Sequence, residues 1–380
     1  MDKVLIKDIA EVVNGSTPST KENSYWDGNI PWITPKDLSA ISGRYISNGE
    51  RNITKEGYQS CSTTLVPKNT ILLTSRAPIG YLAIAKNDLC TNQGFKSLIC
   101  NQSRILPLYM FYWLSTKIEF LKSISGGATF KELSKTSLEN VVMDLPNIVQ
   151  QQHIVDTIGT IDDLIEKNEE IIANARSLIN AFYDTIIVET GISILKDFFV
   201  ITIGRTPPTK ESKWFSSSSR GNVKWLSIKD MAQNSTYIFE TSQFLTNDAL
   251  KKFNIPIVKE GDVLLSFKLT VGRTAIAGAN MVTNEAIACF KANPEYRNYL
   301  FCYLQRCNFL SDGDNTSSIG KAVNSTIIRN FPFVIPSKES LDTFNKETHS
   351  LFELIKLKQK ENISLKTQKG TLLCKYFSSN

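Results

Sequence analysis

Two stretches of the chain, each about forty residues long, space their apolar positions in alternating steps of four and three. In the first, Ile154, Ile158, Ile161, Ile165, Asn168, Ile172, Ala175, Ile179, Phe182 and Ile186 keep that step. In the second, Phe344, Thr348, Leu351, Ile355, Lys358, Asn362, Leu365, Lys369, Leu372 and Tyr376 keep it with more polar members. Such spacing is the a/d seam of a coiled coil, so two long helices are predicted, each needing a partner along its length. Elsewhere the apolar runs are short. Val66 to Leu73 and Ile79 to Ala85, like Val258 to Leu265 and Val271 to Ala277, read as buried strands around Gly turns. The pattern divides the chain into four segments of α+β character: globular over 1–147, helical over 148–190, globular over 191–337 and helical over 338–380.

The globular segments repeat one another. Lys7-Asp8-Ile9 is answered by Lys196-Asp197-Phe198, and Gly15-Ser-Thr17-Pro18 by Gly204-Arg-Thr206-Pro207, 189 residues later. Trp32 to Leu38 matches Trp225 to Met231 at a shift of 193, because a Ser-rich loop from Ser216 to Ser219 lengthens the second copy; such insertions belong in surface loops. Thr91-Asn92-Gln93 is matched by Thr283-Asn284-Glu285, Tyr109 to Leu114 by Tyr299 to Leu304, and Leu138 to Pro146 by Ile328 to Pro336. Solenoid units run about 20 to 50 residues, so each copy here is a domain.

Charge indicates how the helices pair. Residues 148–189 hold eight Asp/Glu against two Lys/Arg, whereas 338–380 hold eight Lys/Arg against five Asp/Glu. Opposite charge favours pairing of the two helices with each other. Two repeats related by a pseudo-two-fold axis require that pairing to be antiparallel, which would set Asn168 opposite Asn362 as a buried polar pair fixing register; two mildly exposed seam residues are the plainer reading. About 40 helical residues span roughly 60 Å, approaching two turns of B-DNA.

The chain's 380 residues are 42% hydrophobic, enough for two ordinary cores, with no apolar run able to span a membrane. Its start, Met-Asp-Lys-Val, lacks the features of a signal peptide, and seven cysteines without CxxC spacing read as reduced thiols in a cytoplasmic protein. The first globular segment carries sixteen Lys/Arg against thirteen Asp/Glu and the second seventeen against eleven. Basic heads on a partly acidic strut suit heads that touch phosphate and a strut that touches protein.

Catalytic patterns fail one by one. Asn29-Ile-Pro31-Trp32 departs at its second residue from the Asn-Pro-Pro-Tyr/Phe loop of amino-methyltransferases, and its counterpart is Asn222-Val-Lys-Trp225. Gly320-Lys321 lacks the earlier glycine and the following Ser/Thr of a P-loop. The two histidines, His153 and His349, occupy non-equivalent helical positions, which argues against a metal site or a triad. What remains is a surface of loops. Its candidate DNA contacts are Thr17, Lys21, Lys36, Arg76, Tyr81, Gln93 and Lys131 in the first copy, with Arg205, Thr206, Lys210, Lys229, Lys268, Arg273, Glu285 and Lys321 in the second. Arg and Lys suit guanine edges and phosphates, Asn and Gln adenine edges. Asn92 and Asn284 are read equally well as turn caps, and Trp32 and Trp225 more readily as core anchors than as base platforms. Positions that differ between the copies, Arg76 against Lys268, Tyr81 against Arg273, Gln93 against Glu285 and Ser16 against Arg205, are the better candidates for reading different bases.

The run from Gly15 to Leu38, the block Ser75-Arg76-Ala77-Pro78-Ile79-Gly80 and the passage from Leu145-Pro146 to Gln151-Gln152 resemble the specificity subunits of type I restriction-modification systems. The resemblance covers the whole chain. It implies two target recognition domains in pseudo-two-fold repeat, separated by two antiparallel coiled-coil helices, each domain reading half of a bipartite, asymmetric duplex target. It implies that the helices set the gap and dock two modification subunits through seam and adjoining positions, Ile154, Ile158, Ile161, Ile165, Asn168, Ile172, Leu351, Ile355, Asn362 and Leu365 among them. It places S-adenosylmethionine, ATP and Mg on modification and restriction subunits, leaving this chain without cofactor or catalysis. The competing expectation is a coiled-coil scaffold whose heads bind protein and are indifferent to DNA.

Overall fold

The computed structural model describes residues 2–41, 43–127, 131–231, 235–268, 270–309 and 323–377. The chain forms two units, one of residues 1–167 with 364–380 and one of residues 168–363. Two long helices, α2 (Ile148–Ile186) and α4 (Lys338–Phe377), each contribute a part to both.

In the first unit the strands are β1 (Asp2–Leu5), β2 (Ala10–Asn14), β3 (Trp26–Ile33), β4 (Tyr45–Ile46), β5 (Arg51–Ile53), β6 (Ile71–Ser75), β7 (Ile79–Ala85), β8 (Cys90–Thr91), β9 (Phe95–Cys100) and β10 (Val142–Leu145). They form a five-stranded sheet in the order β2-β9-β6-β7-β4, a three-stranded sheet β5-β3-β8 and a ribbon β1-β10. β6 is buried at all five positions, as expected of an apolar strand covered on both faces. Alternation then sorts its side chains. Ile71 and Leu73 join a cluster with Tyr109 and Met110 of α1 (Pro107–Thr116), Ile154 and Ile158 of α2, and Phe377 of α4; Leu72 packs with Ile33, Ala83 and Phe95 on the other side. Gln151, fully buried, ties the start of α2 down: its Nε2 donates to the carbonyls of Arg104 and Pro146, each at 2.9 Å, and its Oε1 accepts from Leu106 N at 2.9 Å.

A polar cluster joins the same helices to the sheet edge. Arg44, beside β4, is 6% exposed and donates to Glu166 Oε1 and Oε2 at 2.9 and 3.1 Å, to Asp163, and to the Tyr112 hydroxyl at 3.3 Å. Tyr112 donates to Asp162 Oδ2 at 2.8 Å, and Lys369 reaches Asp162 Oδ1 at 2.7 Å. Burial works against charge here, but each ion has a partner, as buried charges require. Asp162 takes a buried place beside Ile161, which is only partly buried.

The second unit holds β11 (Glu189–Ile194), β12 (Val200–Ile203), β13 (Phe215–Ser216), β14 (Val223–Leu226), β15 (Tyr237–Ile238), β16 (Gln243–Leu245), β17 (Ile257–Val258), β18 (Val263–Ser266), β19 (Thr274–Ala277), β20 (Met281–Thr283), β21 (Ile287–Lys291), β22 (Pro332–Pro336) and the helix α3 (Pro294–Arg306). Its main sheet runs β12-β21-β18-β19-β15, the same order, strand for strand, as the repeat in sequence demands. β11 pairs with β22 as β1 pairs with β10. Val263 and Leu265 face a cluster shared with α3, α2 and α4, and Leu264 faces the opposite one. Within this unit the long helices are antiparallel: Asn168 Nδ2 donates to Asn362 Oδ1 at 2.9 Å, and further along α2 the Tyr183 ring meets Phe344, earlier on α4, at 5.9 Å.

The Glu166 carboxyl carries a pH signature. Burial alone would raise it, but the hydrogen bonds and charge of Arg44 outweigh burial and hold it below the usual value of 4.5. A carboxyl depressed in the native state contributes stability above its unfolded value and loses it as pH falls through the native one. Glu166→Gln should therefore cost about 1 kcal/mol near pH 7, allowing for a carboxylate about one-third exposed. The difference from the unsubstituted chain should close on acidification below that usual value, as urea unfolding across the acidic range would measure. A difference independent of pH would contradict the pairing.

Candidate nucleic-acid interface

Each unit brings two separated sequence blocks together at the end of its sheets. After β2, Gly15 lies so close to the strand end of β8 that a Cβ there would come within 2.2 Å of the carbonyl oxygens of Thr91 and Asn92. After β12, Gly204 makes the same approach to Thr283 and Asn284, again at 2.2 Å. Only glycine permits this contact, which explains why both copies carry one. The loops are then pinned by Ser16 N to Thr91 O at 3.0 Å and Arg205 N to Thr283 O at 2.9 Å. Next to these bonds Thr17 Oγ1 donates to Gln93 Oε1, and Thr206 Oγ1 donates to Glu285 Oε2. Gln93 and Glu285 are exposed, so one scaffold presents a carboxamide in one unit and a carboxylate in the other.

The neighbouring residues sort by what holds them. Asn92 Oδ1 accepts from Gly94 N at 2.8 Å and Asn284 Oδ1 from Ala286 N at 3.2 Å, so both cap the turn. Asp37 closes a capping box with Thr34 and accepts from Glu50 N at 2.8 Å; Asp230 bonds Ser227 and accepts from Ser242 N at 3.0 Å. The adjacent Lys36 and Lys229 are left exposed. Lys36 lies 2.6 Å from Glu50, whose hydrogen bond and charge raise its ammonium above the ordinary range. Lys21, Lys131, Lys210 and Lys268 are also exposed. Tyr81 is 38% exposed beyond the β6–β7 turn, where its N–H donates to Thr74 Oγ1 at 2.9 Å. Arg205 donates to the Phe253 carbonyl at 2.9 Å and, with Thr206, Pro207 and Glu285, lines an open depression.

Arg76 and Arg273 differ in their surroundings. Arg76 lies 3.5 Å from Glu132, which also faces the buried Lys96 at 3.6 Å. Lys96 and Glu132 are polar members that sequence reading passed over; a lone lysine inside the buried run of β9 was the available signal. Arg273 turns inward, donating to the carbonyls of Ile228 and Met231 at 3.1 and 2.8 Å. Lys321, expected in this surface from sequence, lies outside the described residues. Trp32 and Trp225 are buried. The Trp32 indole donates to Ser16 O at 3.0 Å and packs edge-on against Trp26, whose face is covered by Arg51 at 3.5 Å.

No cluster of three His, Cys, Asp or Glu side chains able to hold a metal is present among the described residues. Burial pushes the Cys289 and Cys302 thiols up to about 12, away from reactive thiolate. No helix among the described residues is long and apolar enough to cross a membrane.

Comparison with known proteins is consistent along the chain. The profile of the type I restriction modification DNA specificity domain matches residues 1–175 and again 188–367. The MjaIX type I restriction enzyme specificity subunit of Methanocaldococcus jannaschii is 34% identical, over 97% of this chain and 91% of that one. The EcoR124I/EcoR124II specificity subunit of Escherichia coli is 29% identical over 41% of this chain and 40% of its own length. A crystal structure of the type I restriction-modification S subunit from M. genitalium shares the fold at a TM-score of 0.59 and 15% identity, covering 100% of this chain and 96% of that one.

Gly15→Ala and Gly204→Ala should each destabilise the protein by about 1–3 kcal/mol, because the added methyl group meets backbone oxygens that cannot retreat. Gly126→Ala, with nothing within 4 Å of its Cβ, is the control. Thermal unfolding should show lower midpoints for the first two alone; equal midpoints for all three would contradict the close approach.

Proposed function

We infer that this chain, which belongs to the type I restriction modification DNA specificity family, is the non-catalytic subunit that tells such a complex where to act. Each unit reads one half of a bipartite, asymmetric duplex target, and the paired helices fix the number of unread base pairs between the halves. The observation that carries this reading is one scaffold used twice with different side chains around a shared threonine: Ser16 and Gln93 beside Thr17 in one unit, Arg205 and Glu285 beside Thr206 in the other. Residues shared by both copies serve folding or phosphate contact, and residues that differ discriminate bases.

The chemistry of the differing pairs suggests unlike preferences. A carboxamide donates and accepts and so suits adenine in the major groove; a carboxylate only accepts, which suits the cytosine amino group and disfavours the acceptor edge of guanine. Arg76 and Lys268, beside equivalent turns, supply positive charge toward guanine or phosphate. Two modification subunits carrying S-adenosylmethionine for adenine methylation would dock on the helices, where Leu178 and Leu357 leave apolar surface exposed. Restriction subunits would add ATP- and Mg-dependent translocation and cleavage.

The test uses the chain assembled with its modification subunits. Affinity for target DNA should fall steeply with salt, since phosphate contacts release counterions. Arg76→Ala should weaken or relax recognition of one half-site, and Lys268→Ala the other, each by about 1–3 kcal/mol if the contact is to a base. Competition binding with duplexes altered in one half at a time would measure this. Equal loss at both halves from either substitution would refute separate readers, and binding insensitive to salt would favour a protein scaffold.

A further inference from the structure

The internal repeat exposes a difference between the units at one equivalent place. In the first unit, the position just before the two-residue edge strand is Arg44, and its charge is met by Asp163, Glu166 and the Tyr112–Asp162 pair. In the second unit Thr236 stands there; both residues hold the same backbone role, accepting from Ile84 N and Ile276 N at 2.8 Å. Tyr112 is replaced by Cys302, Asp162 by Phe352 and Lys369 by Ile179. The smaller, less polar set leaves a cavity of about 190 Å³ at this place.

A cation reaches this cavity from α2. Arg176 lines it and donates from Nε to Thr236 Oγ1 at 2.9 Å. Its guanidinium is lowered from the ordinary range by burial, with no carboxylate contributing. Where the first unit matches its buried arginine with acids of its own, the second does not. The remaining lining is divided: Asn180, Ser235 and Gln305 are polar, while Phe301, Phe352 and Ile355 are apolar.

We propose that this cavity is a binding site for a small amphiphilic anion, a carboxylate or phosphate head on an apolar body of one ring or a short chain. The head pairs with the planar fork of Arg176, which matches a carboxylate or phosphate with two parallel donors. The body lies against the phenylalanines. The volume is right for that class, since an apolar cavity of about 150 Å³ admits benzene. The site touches α2, α3, α4 and the segment before β15, so an occupied site braces the long helices of this unit against its sheet. None of its lining residues is a candidate DNA contact, and its test needs no DNA.

Benzoate is the probe, and benzyl alcohol supplies the same ring without the charge. Thermal unfolding of the full chain in millimolar benzoate should show a midpoint raised by about 2 °C or more, as ligand linkage predicts, and benzyl alcohol should not reproduce it. Arg176→Met should abolish the shift. Thr236→Glu, which supplies an internal carboxylate beside Arg176, should raise the midpoint without ligand and also remove the response. No shift with benzoate, an equal shift with benzyl alcohol, or a shift that persists in Arg176→Met would each overturn the assignment; Arg176→Met decides it even if Thr236→Glu does not fold.

Discussion

The buried stripe of α2 is covered partly by the sheets and short helices beside it and partly by α4 from the far end of the sequence, and the rest of the fold follows from that shared burial. The first unit is completed by residues 364–377, with Phe377 packed 5.3 Å from Tyr109 and its carbonyl accepting from Lys117 at 3.1 Å. The second contains the remainder of α4. Neither repeat, cut from the chain as written, holds its whole core: Phe377 belongs to the first cluster, and Ile172, Ala175 and Ile179 belong to the second. The Asn168–Asn362 bond then removes freedom of register, because a slip would strand two buried amides at about 1–3 kcal/mol each. A polar seam residue gives up some stability and excludes alternatives.

Duplication separates what must stay from what can change. The five-stranded sheet, the glycine pressed against two carbonyls and the Thr bonded to the residue after Asn recur in both units. The side chain at the tip does not, and neither does the ion cluster beneath the long helix. These two differences have different consequences. The first sits in solvent, at the surface proposed to meet DNA; the second sits inside and leaves an arginine without an internal acid.

The periodic parts of this fold were legible because single physical rules govern them. Heptad spacing marks helices that need a partner, and matched apolar runs mark two strands of each main sheet, β6 with β7 and β18 with β19. The helix interior was less legible. Asp162 and Phe352 are buried although they fall outside the a/d steps, while Ile161 and Leu351 within those steps are only half-buried. The helices here face a globular cluster as well as each other, so the buried stripe is wider than a two-helix seam. Arg44 was unreadable for a related reason: its acidic partners lie more than a hundred residues away, and a lone arginine before a short strand has no local pattern. At the candidate interface, residue type identified Gln93 and Glu285 as polar, but could not distinguish Arg76, at the surface beside Glu132, from Arg273, folded onto carbonyls of its own unit.

The central claim is that this chain supplies target choice and its partners supply chemistry. The most direct measurement is sequencing of methylated bases in a methylation-free host that expresses the chain with and without its modification subunit. Methyladenine in a split, asymmetric motif, present only when both are expressed, is the predicted result. Methylation by this chain alone, or none despite a verified complex, would contradict it.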